Sequence, residues 1–266
     1  MKVQKGVSLF AVLLMLFPGP DALEQRLYST QDVHSHNDYA QKIPFYAAIG
    51  REFGSMEADV FLINGDLLVA HGLSDVSPER TLQKMYVLPL VEQFKKNNNK
   101  PYPSPSKRFQ LLIDIKQTES GSVREVVKET SSYPGVFDRR VNKHAVQLII
   151  TGNRPRPDSF YHYPPNILFD YALEEKLDAA QLSRVGLVSL DYHTYSHWNG
   201  VGEFTSSDEY SLKHLIDTAH HLGKKIRFYG APDNPLAWKV FMRLGVDYLN
   251  TDHIDQIADF LEKNPR

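Results

Sequence analysis

Eight short apolar runs recur along the chain, at residues 32–36, 55–61, 109–115, 145–150, 167–170, 185–190, 225–229 and 246–249. Helix-like apolar spacing fills most gaps between them, at 44–51, 80–96, 123–131, 173–182, 209–222, 235–244 and 254–262. Strands that alternate with helices pair in parallel, because a parallel neighbour needs a crossover long enough to hold a helix. Eight such units within 266 residues predict an α/β fold of the (β/α)8 TIM-barrel type, built as a single domain. The fourth crossover, residues 151–165, carries four prolines and no clear helix, so the barrel is expected to be irregular there. An open doubly wound sheet is the competing architecture, but no G-x-G-x-x-G follows the first run.

A TIM barrel keeps its chemistry at the C-terminal ends of its strands. In "GSMEADVFL", Glu57 and Asp59 are two apart and share one face of a strand, while Met56, Ala58 and Val60 take the other. Two carboxylates side by side need a cation, a shared proton or a basic partner. "FQLLIDIK" adds Asp114 at the same mouth, with Lys116 two residues on. Asn64-Gly65 marks a turn, after which residues 66–70 run back and bring His71 over Glu57 and Asp59. In "DVHSHNDY", His34 and His36 share a face, His36 lies nearer the mouth, and Asn37 can offer its carbonyl oxygen to a hard cation. The expected cofactor is one divalent cation, Ca2+ or Mg2+, flanked by His36 and His71 as general acid and base. His34 reads as a supporting residue.

Residues 1–22 read as a signal peptide and 23–266 as the barrel domain. Lys2 and Lys5 precede an apolar run at 7–17 that Pro18-Gly19-Pro20 ends, and the run is too short to span a bilayer. An uncleaved membrane anchor is the competing reading; the expected destination is the periplasm or the exterior. The chain has no cysteine, which excludes disulfides, thiolate chemistry and a lipid-anchored cysteine. A formal net charge of -2 gives no electrostatic case for nucleic-acid binding. Lys95, Lys96 and Lys100 read as a solvated helix end. The expected partner is a phosphodiester small molecule or a phospholipid head group, with contact to a membrane surface left open and no protein partner inferred.

"SHNDY", "MEADV" with "AHG", and "LLIDIK" together resemble the glycerophosphodiester phosphodiesterase and phosphatidylinositol-specific phospholipase C superfamily. More narrowly, they resemble the bacterial and fungal proteins related to altered inheritance of mitochondria protein 6. The resemblance runs over about residues 31–255 and is strongest over 34–116. It implies that His36 and His71 are the acid/base pair and that Asn37, Glu57 and Asp59 ligate the cation. It further implies a metal role for Asp114 and a phosphate-contacting, catalytic role for Lys116. "RFYGAPDN" and "LGVDYLNTDH" are similar to the superfamily's last two strands, which implies substrate contacts from Arg227 and Tyr229. The H-R-G of typical glycerophosphodiesterases is H-N-D here, and their third-strand glutamate is Asp114.

Two rival functions remain open on sequence. An H-x-H on the first strand is also how amidohydrolases and the polymerase-histidinol phosphatase group hold metals, and His193, His197 and His253 could supply later ligands. Alternatively, a non-catalytic exported barrel could bind a head group or a glycan through "DYHTYSHWNG".

Overall fold

The computed structural model describes residues 26–117 and 119–264, so the expected leader over 1–22 lies outside the described residues. Eight strands lie side by side: β1 (Val33–Ser35), β2 (Ser55–Ile63), β4 (Gln110–Ile115), β5 (Gln147–Gly152), β6 (Ile167–Tyr171), β7 (Val185–Asp191), β8 (Ile226–Tyr229) and β9 (Leu249–Thr251). All their pairings are parallel. A parallel bridge between Arg227 and Tyr248 brings the two ends of the sheet together into a nearly closed TIM barrel. The remaining strand, β3 (Asp66–Val69), folds back antiparallel on β2 after Asn64 and Gly65, both at positive φ.

Among the described residues, eight helices punctuate the strands: α1 (Tyr46–Gly50), α2 (Leu88–Lys96), α3 (Glu119–Ser131), α4 (Pro134–Phe137), α5 (Ala179–Ser183), α6 (Ser206–His221), α7 (Pro235–Leu244) and α8 (Ile254–Lys263). Local chemistry sets several ends. The Asn234 side chain accepts the Leu236 and Ala237 amides, Pro235 opens α7, and Gly245 closes it at φ 91. Strand alternation then sorts the side chains. Met56, Ala58, Leu111, Ile113 and Leu148 pack outward in the main buried core. Leu112, Ile149, Leu187 and Tyr248 form a separate cluster that fills the barrel interior. The register stacks this interior in layers: Ser55 beside Gln110, Glu57 beside Leu112, and Asp59 beside Asp114.

Some element boundaries differ from the sequence expectation, each for a local reason. The helix expected over 80–96 opens as a π turn, Gln83–Val87, before α2. Pro89 has no N–H to donate one turn back, so the ladder widens ahead of it. The helix expected over 173–182 shrinks to α5. Leu173 sits at φ 58, outside the helical region, and the helix starts only at the Asp178–Gln181 capping box. The last strand falls at β9 rather than 246–249, because Asp247 turns its carboxylate onto the Ile226 amide at 3.0 Å. The fourth crossover has no α-helix; a 3-10 turn at Pro157–His162 occupies it.

Candidate active site

Strand β2 delivers Glu57 and Asp59 to the upper interior, and β4 delivers Asp114 beside them. One oxygen from each of these three carboxylates lies within 4.8 Å of the others. Glu57 and Asp59 are buried at 3% and 1% exposure, so their charges need partners. Arg227, itself 2% exposed, meets Glu57 with two nitrogens at 3.0 and 3.3 Å. Lys116 sits 2.9 Å from Asp59 and 2.8 Å from Asp114. Three carboxylates thus face two fixed cations, which leaves one negative charge over.

The pKa directions follow this arrangement. Burial would raise Glu57, but Arg227 and His34 outweigh it and hold the carboxyl well below its usual range. Asp114 is pushed up to about 6, chiefly by burial, with Lys116 opposing and Glu57 adding to the rise. Asp59 is raised by burial and by Glu57, against Lys116. Hard oxygen donors with surplus negative charge could hold a divalent cation.

An imidazole stands on each side. His36 follows β1, with Nε2 3.9 Å from Glu57 and Nδ1 3.0 Å from Asp252. Burial alone would lower its pKa; the Asp252 hydrogen bond and the Glu57 charge reverse that and raise it. His71 follows β3, three-quarters exposed, with Nδ1 3.5 Å from Asp59. Asn37 lies at φ 46. Its carbonyl oxygen and Asp59 Oδ2 each lie 2.7 Å from the Tyr39 hydroxyl, whose one proton either can accept, and His71 Nδ1 lies 3.1 Å from the same hydroxyl. Tyr39 therefore ties Asn37, Asp59 and His71 together, a role that its place in "SHNDY" did not disclose.

A cavity of about 470 Å³ opens beside the carboxylate trio and is lined by His36, Glu57, Asp114, Lys116, Arg227 and Tyr229, among others, whereas Asn37, Asp59 and His71 lie outside its lining. Arg227 reaches its wall yet is bonded to Glu57, Ser189 at 2.6 Å, His34 at 2.5 Å and Asn250 at 3.3 Å. Its position is that of an internal counter-ion, whereas Tyr229 is 40% exposed and free to meet a ligand. The far wall was not anticipated. Thr151 and Arg154 both bond Asp170, at 2.6 and 2.8 Å. Asp170 ends its apolar run and Asp114 stands one residue from the end of its own, and that similar position was the available signal. Gly152 was missed altogether. It has φ +69, and a Cβ there would fall 1.9 Å from Asp114 Oδ1.

The H-x-H alternative does not assemble among the described residues. His34 is fully buried, with Nδ1 2.6 Å from Ser55 and Nε2 3.1 Å from Glu57. Burial, with Arg227 beside it, lowers His34 to about 3. The only grouping of three or more potential protein ligands among the described residues is the carboxylate trio. His193 and His197 stay on an exposed loop.

Known proteins share both the pattern and the fold. The AIM6-like phosphodiesterase domain matches residues 26–157, and the glycerophosphoryl diester phosphodiesterase family matches residues 225–255. The chain belongs to the glycerophosphodiester phosphodiesterase superfamily, in its AIM6-like group. Altered inheritance of mitochondria protein 6 from Eremothecium gossypii is 26% identical over 269 residues, covering 86% of this chain and 69% of that one. The homolog from Arthroderma benhamiae is 28% identical, covering 84% and 81%. A glycerophosphodiester phosphodiesterase from Parabacteroides distasonis shares the fold at a TM-score of 0.53 and 15% identity, covering 88% of this chain and 98% of that one. So does an Oleispira antarctica phosphodiesterase solved with the product sn-glycerol-3-phosphate, at a TM-score of 0.51 and 14% identity, covering 89% and 97%. Membership in this superfamily supports phosphodiesterase activity.

Proposed function

We propose that this protein is a metal-dependent phosphodiesterase that cleaves a phospholipid or a glycerophosphodiester by histidine acid/base catalysis. The observation that carries the reading is the convergence of Glu57, Asp59 and Asp114, with His36 near one edge and His71 near the other. A bound divalent cation, Ca2+ or Mg2+, would turn the site's surplus charge positive and so attract and neutralise a phosphodiester monoanion. Glu57, Asp59, Asp114 and Asn37 are the residues that would hold it.

The chain's own groups divide the remaining work. Asp252 orients His36, and its raised pKa favours the protonated ring, which suits a donor to the leaving oxygen. His71, open to solvent and 3.1 Å from the Tyr39 hydroxyl, is placed to accept a proton from water or from a substrate hydroxyl. Lys116 presents its ammonium to the cavity beside Asp114 and would contact a phosphate oxygen. Water as nucleophile gives hydrolysis; a neighbouring substrate hydroxyl gives a cyclic phosphate and gains an effective-concentration advantage. The lysine-flanked apolar leader supports an exported enzyme.

The test is a panel of phosphodiesters with and without chelator, with products separated into open and cyclic forms. We expect chelator-sensitive turnover, reduced by roughly 10²–10⁴-fold in His36→Ala and in His71→Ala. No turnover on any diester, or undiminished rates in both variants, would remove the assignment.

A further inference from the structure

At the opposite end of the barrel a second cavity of about 430 Å³ opens where the strands begin. Gln110 and Gln147, the first residues of β4 and β5, line it, with Tyr248, Leu168 and Phe109 as the inner wall. Four cations also line it: Arg108, Arg139, Lys224 and Lys225. Among the described residues, no carboxylate lines it and none of the four forms an ion pair. The nearby acids are engaged elsewhere: Asp32 by Arg26, and Asp247 by Arg26 and His220.

The four side chains are held rather than free. Arg139 donates from Nε to Ala145 O at 3.0 Å and from Nη1 to Gln147. Lys224 donates to Val185 O at 2.9 Å. Lys225 Nζ lies 4.7 Å above the Tyr248 ring. Arg108 donates to Pro105 O at 2.6 Å. Every one of these partners is neutral, so each cation keeps its full charge and spare hydrogens. Gathering like charges at a concave surface costs energy. Burial, with Arg108 adding to it, lowers the Arg139 pKa, and burial lowers Lys224. The chain as a whole carries a formal charge of -2, so this concentration is local.

We propose that this basal cavity binds a phosphate-bearing anion, separately from the site at the mouth. Guanidinium groups take phosphate oxygens in pairs and ammonium groups add point charge, which fits a group of two or more negative charges. A phosphorylated small molecule and an anionic lipid head group share that chemistry.

The experiment uses the full chain in chelator, which keeps any cation at the mouth out of the measurement. Pyrophosphate binding is followed by calorimetry. Sedimentation is followed with phosphatidylcholine vesicles, with and without phosphatidic acid. Wild type should bind pyrophosphate, phosphatidic-acid vesicles or both, and the responding arm identifies the source. Lys225→Gln and Arg139→Gln should each weaken that binding roughly tenfold. Lys225 is exposed, so its variant tests the idea even if the Arg139 variant unfolds. Failure of wild type to bind either probe, or binding that Lys225→Gln leaves at full strength, overturns the proposal.

Discussion

Asp114 owes its position to a missing atom on the neighbouring strand. Gly152 pairs with Ile115, and a side chain at Gly152 would collide with the Asp114 carboxylate and, at 2.8 Å, with Ile115 O. Its φ of +69 adds a second demand for glycine. Gly152→Ala should therefore cost about 1–2 kcal/mol of stability from backbone strain. It should also cost roughly 10²-fold in turnover, from displacement of the acid. Chemical denaturation and turnover on the best panel substrate check both; a folded variant with wild-type rates would show that the Asp114 position is unimportant. At this scale the sequence was informative wherever two groups share a strand. Glu57 with Asp59, and Asp114 with Lys116, are two residues apart and need only the strand's period to be placed together. Arg227 and Glu57 are 170 residues apart, so their pairing became visible only when the ring was assembled. For the same reason, Arg227 read as a substrate contact on sequence.

Among the elements, α3 carries an uncompensated acid. Among the described residues, Glu129 Oε2 is buried with no hydrogen-bond partner. Burial, with Glu125 and Asp66 adding to it, pushes Glu129 from 4.5 up to about 7. The unfolded chain releases this proton first, so between those values the folded state holds one proton more. The stability it contributes is full below 4.5 and is lost as pH rises through about 7. Glu129→Gln should flatten that decline and make the protein more stable than wild type above about pH 7, as read from urea midpoints across the window. Parallel pH curves for the two proteins would rule out this role for Glu129. Element type was largely legible in advance because period two and period 3.6 leave different apolar patterns. Boundaries were less so, since they turned on single residues such as Pro89, Leu173 and Asp247.

For the whole molecule, the mouth's surplus negative charge is a folding cost that a cation would relieve. Ca2+ or Mg2+ at a hundred times its dissociation constant would add about 2.7 kcal/mol. That corresponds to a rise in Tm of roughly 5–10 °C for a domain of this size. Asp59→Asn should abolish most of the rise, and a wild-type melting curve indifferent to both ions and to chelator would place no cation at the trio. The barrel itself was readable from the count and alternation of its units. The basal cavity was not, because Arg108, Arg139 and the Lys224–Lys225 pair come from three separate connections and meet only in three dimensions.

Arg227 occupies two structural positions at once. Its backbone is one half of the bridge to Tyr248 at the seam of the ring, and its side chain balances Glu57, a buried acid of the mouth. Ring closure and the pairing of Glu57 are thus vested in a single residue, so the barrel's weakest join is fastened from within by the chemistry it encloses.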